Sequence, residues 1–157
     1  MKRLLVGILF MCWMPHVNAE GTLTPLTEPI VIESNEVFDG AGKTYTSCGH
    51  PAFILRGTGA LLERVSVQQC ESDRVPAVQV SGLGHQLIDV SIESSGTGLL
   101  IENGYGVRVI RTSIQGNGQA DGVVLLNSEA SELRGVVAKE VRDGIYIENG
   151  SQHTIVR

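Results

Sequence analysis

Gly98-Leu-Leu-Ile-Glu-Asn103, Gly122-Val-Val-Leu-Leu-Asn127 and Gly144-Ile-Tyr-Ile-Glu-Asn149 are three copies of one pattern, 24 and 22 residues apart. Two earlier stretches, Pro51-Ala-Phe-Ile-Leu55 and Pro76-Ala-Val-Gln-Val80, share the phase at an offset of 25. Self-similarity at such a period is the signature of a repeat architecture. The second half of each copy repeats as well: Leu62, Leu87, Val109, Leu133 and Ile155 make one apolar column, and Val67, Ile92, Ile114 and Ala138 make another. Residues between the columns are mostly polar, as a strand with one buried and one wet face requires. Strands this short cannot bury a face alone, whereas coils stacked about 4.8 Å apart pair every backbone group and build a continuous core.

The period decides between solenoids. Leucine-rich repeats need a Leu-x-x-Leu-x-Leu consensus with an Asn in every copy, and left-handed β-helices need a hexapeptide pulse; neither is present. Two to three short strands per coil predict an all-β, right-handed parallel β-helix, a pectate-lyase-like solenoid of about five coils. Composition agrees: aromatics are only 4% and glycines number 19, so the core is aliphatic and the turns are tight.

Outward from the repeats, the N-terminus has the zones of a secretory signal: Lys2 and Arg3, an apolar run from Leu4 to Trp13, then Pro15 and the small-residue site Val17-Asn18-Ala19. The run has about ten residues against the roughly twenty that span a bilayer, so residues 1–19 are expected to be removed and to leave no membrane span. Phe10 and Met11 before Cys12 are too large for a lipoprotein signal. Cleavage takes the 12 basic residues to 10 against 17 acidic ones, a net charge of −7. That excludes a nucleic-acid partner, which needs a basic footprint, and disfavours an anionic polysaccharide except at a local basic patch. Residues 20–49 fit the repeat poorly and are expected to cap the first coil, with Ile30-Val31-Ile32 and Val37-Phe38 as strand candidates. Residues 50–157 form the coils, and because Arg157 aligns with Arg111 in mid-coil, the stack is expected to be cut before its natural end.

Asn103, Asn127 and Asn149 share a column at the end of the first strand. They are expected to form an internal ladder of stacked amides holding the turn, since Asn bonds locally and tolerates left-handed geometry. Cys48 and Cys70 stand one period apart and are expected to form a disulfide in an oxidising compartment, the alternative being two buried thiols. His50, His85 and His153 do not converge, since His85 and His153 share a column three coils apart; no metal site and no cofactor is expected. Gly116-Asn-Gly-Gln-Ala-Asp121 faintly resembles a calcium-binding turn but occurs once, and reads as a plain turn.

One outward column reads Arg64, Asp89, Arg111, Gly135, Arg157. A basic side chain beside a carboxylate could act in polysaccharide chemistry, and Arg64, Asp89 and Arg111 are the candidate catalytic or sugar-binding residues. The plainer reading, a surface ladder of alternating charge, is preferred because no second carboxylate joins Asp89, while Asp121 and Asp143 read as turn residues before Gly. Glu102 and Glu148 share a second column, separated by Leu126. Two coil steps put them roughly 9.6 Å apart, near the span of an inverting glycosidase pair, although solvated strand residues are the expectation.

Val37-Phe38-Asp39-Gly40-Ala41-Gly42-Lys43-Thr44, followed by coils ending in Asp143-Gly144-Ile145-Tyr146-Ile147-Glu148-Asn149, resembles the NosD-type periplasmic β-helix proteins and the wider carbohydrate-binding and sugar-hydrolase β-helix group, over residues 30–157. The resemblance implies periplasmic or secreted residence, and its named member assists copper-site maturation in nitrous oxide reductase. No copper-ligand constellation carries over, nor does the Asp-Pro-x-Arg signature of alginate epimerases or the paired Asp of polygalacturonases. The expectation is a non-catalytic binding or scaffold module for a polysaccharide or a periplasmic protein; the alternative is the N-terminal part of a polysaccharide lyase, epimerase or glycoside hydrolase.

Overall fold

The structure is a computed structural model and describes residues 23–71, 74–149, 151 and 154–156. The expected signal segment, His153 and Arg157 lie outside the described residues. In chain order the strands are β1 Leu23–Pro25, β2 Ile30–Ile32, β3 Val37–Asp39, β4 Thr44–Ser47, β5 Phe53–Thr58, β6 Leu61–Gln69, β7 Val78–Leu83 and β8 Gln86–Glu93. They continue as β9 Leu99–Tyr105, β10 Arg108–Ile110, β11 Ser113–Gln115, β12 Val123–Leu126, β13 Glu132–Arg134, β14 Val137–Lys139, β15 Ile145–Glu148 and β16 Ile155–Val156. No helix occurs among the described residues.

All strand pairs are parallel, and the coils stack as a β-solenoid of about five turns. One six-stranded sheet runs β2-β5-β7-β9-β12-β15. The other runs β1-β4-β6-β8-β10-β13-β16, with β3 also on β6 and β11 between β8 and β14. Ile101, Leu125 and Ile147 are direct partners on successive coils, as are Leu62, Leu87, Val109 and Leu133, and likewise Val67, Ile92, Ile114 and Ala138. Inward members of these columns between Phe53 and Leu133 are nearly all fully buried, whereas the residues between them mostly face water. Burial of an aliphatic side chain stabilises by roughly 1.5–3 kcal/mol, so each added coil extends the same core.

The glycines that open two of the copies, Gly98 and Gly122, have a packing reason. A Cβ on Gly122 would lie 2.6 Å from the Gly144 carbonyl oxygen and 2.8 Å from Ala138 Cβ, so only a bare backbone fits where the chain turns into the six-stranded sheet.

Two expectations change, while the segment before the repeats stacks directly on the next coil: β2 pairs with β5, β3 and β4 both pair with β6, and Ile32 and Tyr45 enter the core. Its strands at Ile30–Ile32 and Val37–Asp39 fall on the candidates, and Thr44–Ser47 is an additional one. The column through Leu133 continues at Val156, because Ile155 pairs with Glu132. Ile155 and Val156 are both apolar and only one can point inward, so pattern alone could not choose between them.

The asparagines are not an internal ladder. Asn103, Asn127 and Asn149 adopt left-handed backbone geometry, with φ of 54°, 47° and 54°, at equivalent corners. All three are exposed. Among the described residues no hydrogen bond joins their amides; after Asn127 it is the next residue, Ser128, that supplies an inward polar group. The Ser128 hydroxyl is fully buried, lies 2.9 and 3.1 Å from the Leu126 and Ile101 carbonyl oxygens that share its one hydrogen, and accepts from the Gly104 amide at 3.2 Å. Left-handed geometry thus turns the amide out and the serine in.

Candidate functional site

Arg64, Asp89 and Arg111 do stand in one column, continued by Gly135, at the bend where β6 and β8 fold over and where later coils break into two strands. All four are left-handed, with φ of 53°, 55°, 50° and 62°. An arginine in that region is unusual on its own, but repetition through a glycine shows that the corner imposes it. The charges are mutually satisfied. Arg111 grips Asp89 through two bonds of 2.6 and 2.7 Å, and Arg64 binds Asp39 on the preceding coil in the same two-pronged way. These hydrogen bonds, with the guanidinium charge, hold the Asp89 and Asp39 carboxyls below the usual range. A carboxylate so stabilised is a poor general base, which needs a pKa near the working pH, and a paired guanidinium is a poor proton acceptor. The column therefore has the chemistry of a surface ladder.

The other nominated groups also take ordinary positions. Glu102 and Glu148 flank Leu126 in register as outward strand residues. His85 is fully buried and does not face solvent: its Nδ1 accepts the Ala60 amide at 3.1 Å and its Nε2 lies 3.0 Å from the Ser81 carbonyl oxygen. That pairing fixes the neutral tautomer protonated at Nε2, and burial lowers its pKa. The turn after Gly116 is closed by its own asparagine, whose Oδ1 accepts the Gln119 amide at 3.0 Å. Asp121 is more than a turn residue, since its carboxylate is buried and held by Arg142 at 2.7 and 3.1 Å, stapling two successive coils.

Room for a ligand exists at the charged corner, in a cleft of about 450 Å³ lined by Ala41, Gly42, Arg64, Val65, Ser66, Asp89 and Ser91, and along a longer polar surface on the loop flank, between the end of one sheet and the start of the other. On that flank a cleft of about 570 Å³ is lined by Glu71, Arg74, Ser95, Gly96, Thr97, Asn117, Gln119 and Ala120. A second, of about 370 Å³, adjoins it and shares Glu71, Ser95 and Asn117, adding Gln69, Glu93, Ser94 and Gly116. Together they offer hydroxyls, carboxamides, carboxylates and one guanidinium along successive coils, with no aromatic side chain. Beneath the clefts an inward polar row closes the core: Ser94 Oγ lies 2.8 Å from Gln69 Oε1, whose amide donates to the Val75 carbonyl at 3.3 Å. Sequence periodicity did not single out Glu71, Arg74, Thr97 or Gln119, because these loops differ in length from coil to coil and carry no repeat. The one available signal was that polar residues cluster at matching phase after Gln68, Glu93 and Gln115.

Compared with known proteins, the chain matches no family model and no curated protein sequence.

Proposed function

We propose that this chain is an exported, non-catalytic β-solenoid module that binds a polysaccharide along its loop flank. The carrying observation is the continuous polar cleft formed by Glu71, Arg74, Ser95, Thr97, Asn117 and Gln119 across consecutive coils. Side-chain hydroxyls and carboxamides both donate and accept, which suits a sugar ring with several hydroxyls. Successive coils present such groups repeatedly, which suits a linear polymer. Glu71 and Arg74 contribute opposite charges, so the cleft favours a neutral glycan over a uronate chain. The secretory-type N-terminus and the resemblance to NosD-type and carbohydrate-binding β-helix proteins support a periplasmic or secreted setting. The copper-maturation role of the NosD member has no support from ligating side chains, since no cluster of three His, Cys, Asp or Glu occurs among the described residues.

Affinity electrophoresis in gels containing hydroxyethylcellulose, soluble xylan, galactomannan, alginate or polygalacturonate tests this reading. Retardation by at least one neutral glycan is expected, with Arg74→Ala weakening it about tenfold through loss of charge-assisted hydrogen bonds. Migration unaffected by every glycan would contradict it. One observation favours an enzyme instead: Glu71 and Glu93 line the same adjoining cleft, the residue types of a glycosidase pair. Release of reducing ends from a retarding glycan, abolished by both Glu71→Gln and Glu93→Gln, would establish that reading in place of simple binding.

A further inference from the structure

We infer that the Cys48–Cys70 disulfide positions the wall of this cleft, so that glycan binding depends on its oxidised state; the inference rests on the polysaccharide reading above. The bond joins the residues that immediately follow β4 and β6, with Cα atoms 5.1 Å apart. Cys70 is the residue before Glu71, which lines both clefts. The same point is tied twice more, by the Cys70 amide donating to the Ser47 carbonyl at 3.1 Å and the Ser95 hydroxyl donating to the Cys70 carbonyl at 2.8 Å. Further on, Arg74 and Val75 lie directly on the next coil: a Cβ on Gly96 would come within 2.5 Å of the Val75 oxygen and 3.0 Å of the Arg74 carbonyl carbon. Glu71 and Arg74 are thus held by a covalent clamp at one side and a side-chain-free seat at the other. Fixing both groups before the ligand arrives removes an ordering cost from binding, which is how a remote bond raises affinity. Cys48 and Cys70 do not line the cleft, so they are positioning residues.

The test compares the oxidised exported chain, the same chain reduced, a Cys48→Ser/Cys70→Ser double variant, and Gly96→Ala with the disulfide intact. Two readouts are used: hydroxyethylcellulose or xylan affinity, and the rate of limited tryptic cleavage after Arg74 relative to Arg56 and Arg134. Reduction, the double variant and Gly96→Ala should each speed cleavage after Arg74 by roughly tenfold or more over any change at the two reference sites, which report global unfolding, since proteolysis reads local opening as well. Glycan affinity should fall by a similar factor. If cleavage after Arg74 and glycan affinity are the same in all four proteins, the inference is overturned. Faster cleavage with no glycan bound in any state supports the clamp and overturns the polysaccharide reading instead. Should reduction unfold the chain, the Cys48→Ser/Cys70→Ser double variant decides, and its failure to move either readout overturns the inference, Gly96→Ala reporting on the seat alone.

Discussion

The two ends of one inward column behave differently. Ile32 begins it at 2% exposure and Ile101 and Leu125 are fully buried within it, yet Ile147, in the same register, is 45% exposed. At the first coil the core is closed by an aromatic trio, Phe38, Tyr45 and Phe53, with ring centroids 5.1 to 5.7 Å apart in edge-to-face and tilted packing. The disulfide lies at the end of the same coil. At β15 the inward side chains have a neighbour on one side among the described residues, and Tyr146 and Val156 are exposed beside Ile147. Phase along the chain sets which way a side chain points; coverage by an adjacent coil sets what that direction is worth. The contrast predicts that equal truncations will have unequal costs.

The sharpest version pairs Leu125→Ala with Ile147→Ala. Leu125 should lose about 2–5 kcal/mol in urea unfolding, the usual cost of a buried leucine cavity, and Ile147 less than half as much. Equal losses would break the comparison. Next in size, Cys48→Ser/Cys70→Ser should lower stability by about 2–4 kcal/mol, chiefly through the unfolded state, with the midpoint shift read by circular dichroism. A negligible shift would mean that the aromatic trio alone secures the first coil.

A smaller effect follows from His85 in the middle of the stack. Its folded pKa lies below the ordinary value of 6.5 because burial disfavours the cation. The unfolded chain therefore binds more protons, and this contribution to stability is complete above about pH 6.5 and is lost as pH falls through the folded value. Unfolding midpoints should drop between pH 7.5 and 5, and His85→Gln should flatten that slope. Smallest of all, Asp89→Asn should leave the unfolding midpoint within measurement error, since both partners of its ion pair are solvated at the corner. A large loss there would show that the charged ladder stiffens the solenoid and would revive its functional reading.

Much of this fold was legible because parallel stacking converts sequence period into spatial neighbourhood. Leu62, Leu87, Val109 and Leu133, and equally Val67, Ile92, Ile114 and Ala138, needed only an apolar residue recurring at constant phase from coil to coil. What failed did so where phase is ambiguous or locally reset. The Ile155–Val156 doublet offered two apolar choices one residue apart. At the asparagine corners a left-handed residue rotates its side chain outward, so Asn127 faces water while Ser128 enters the core. The candidate site was less legible than the fold, because Glu71, Arg74, Thr97 and Gln119 come together from loops without a common length. Asp121 and Arg142, likewise 21 residues apart, show no pattern that would pair them before the coils are stacked.

Methyl-resolved NOE spectroscopy of the labelled protein tests the coil stack most directly. The account predicts strong methyl contacts from Ile101 to Leu125, from Leu87 to Val109 and from Ile92 to Ile114, pairs one coil apart in register. A spectrum in which those residues show methyl contacts only to near neighbours in sequence, or to partners shifted by one residue, would contradict it.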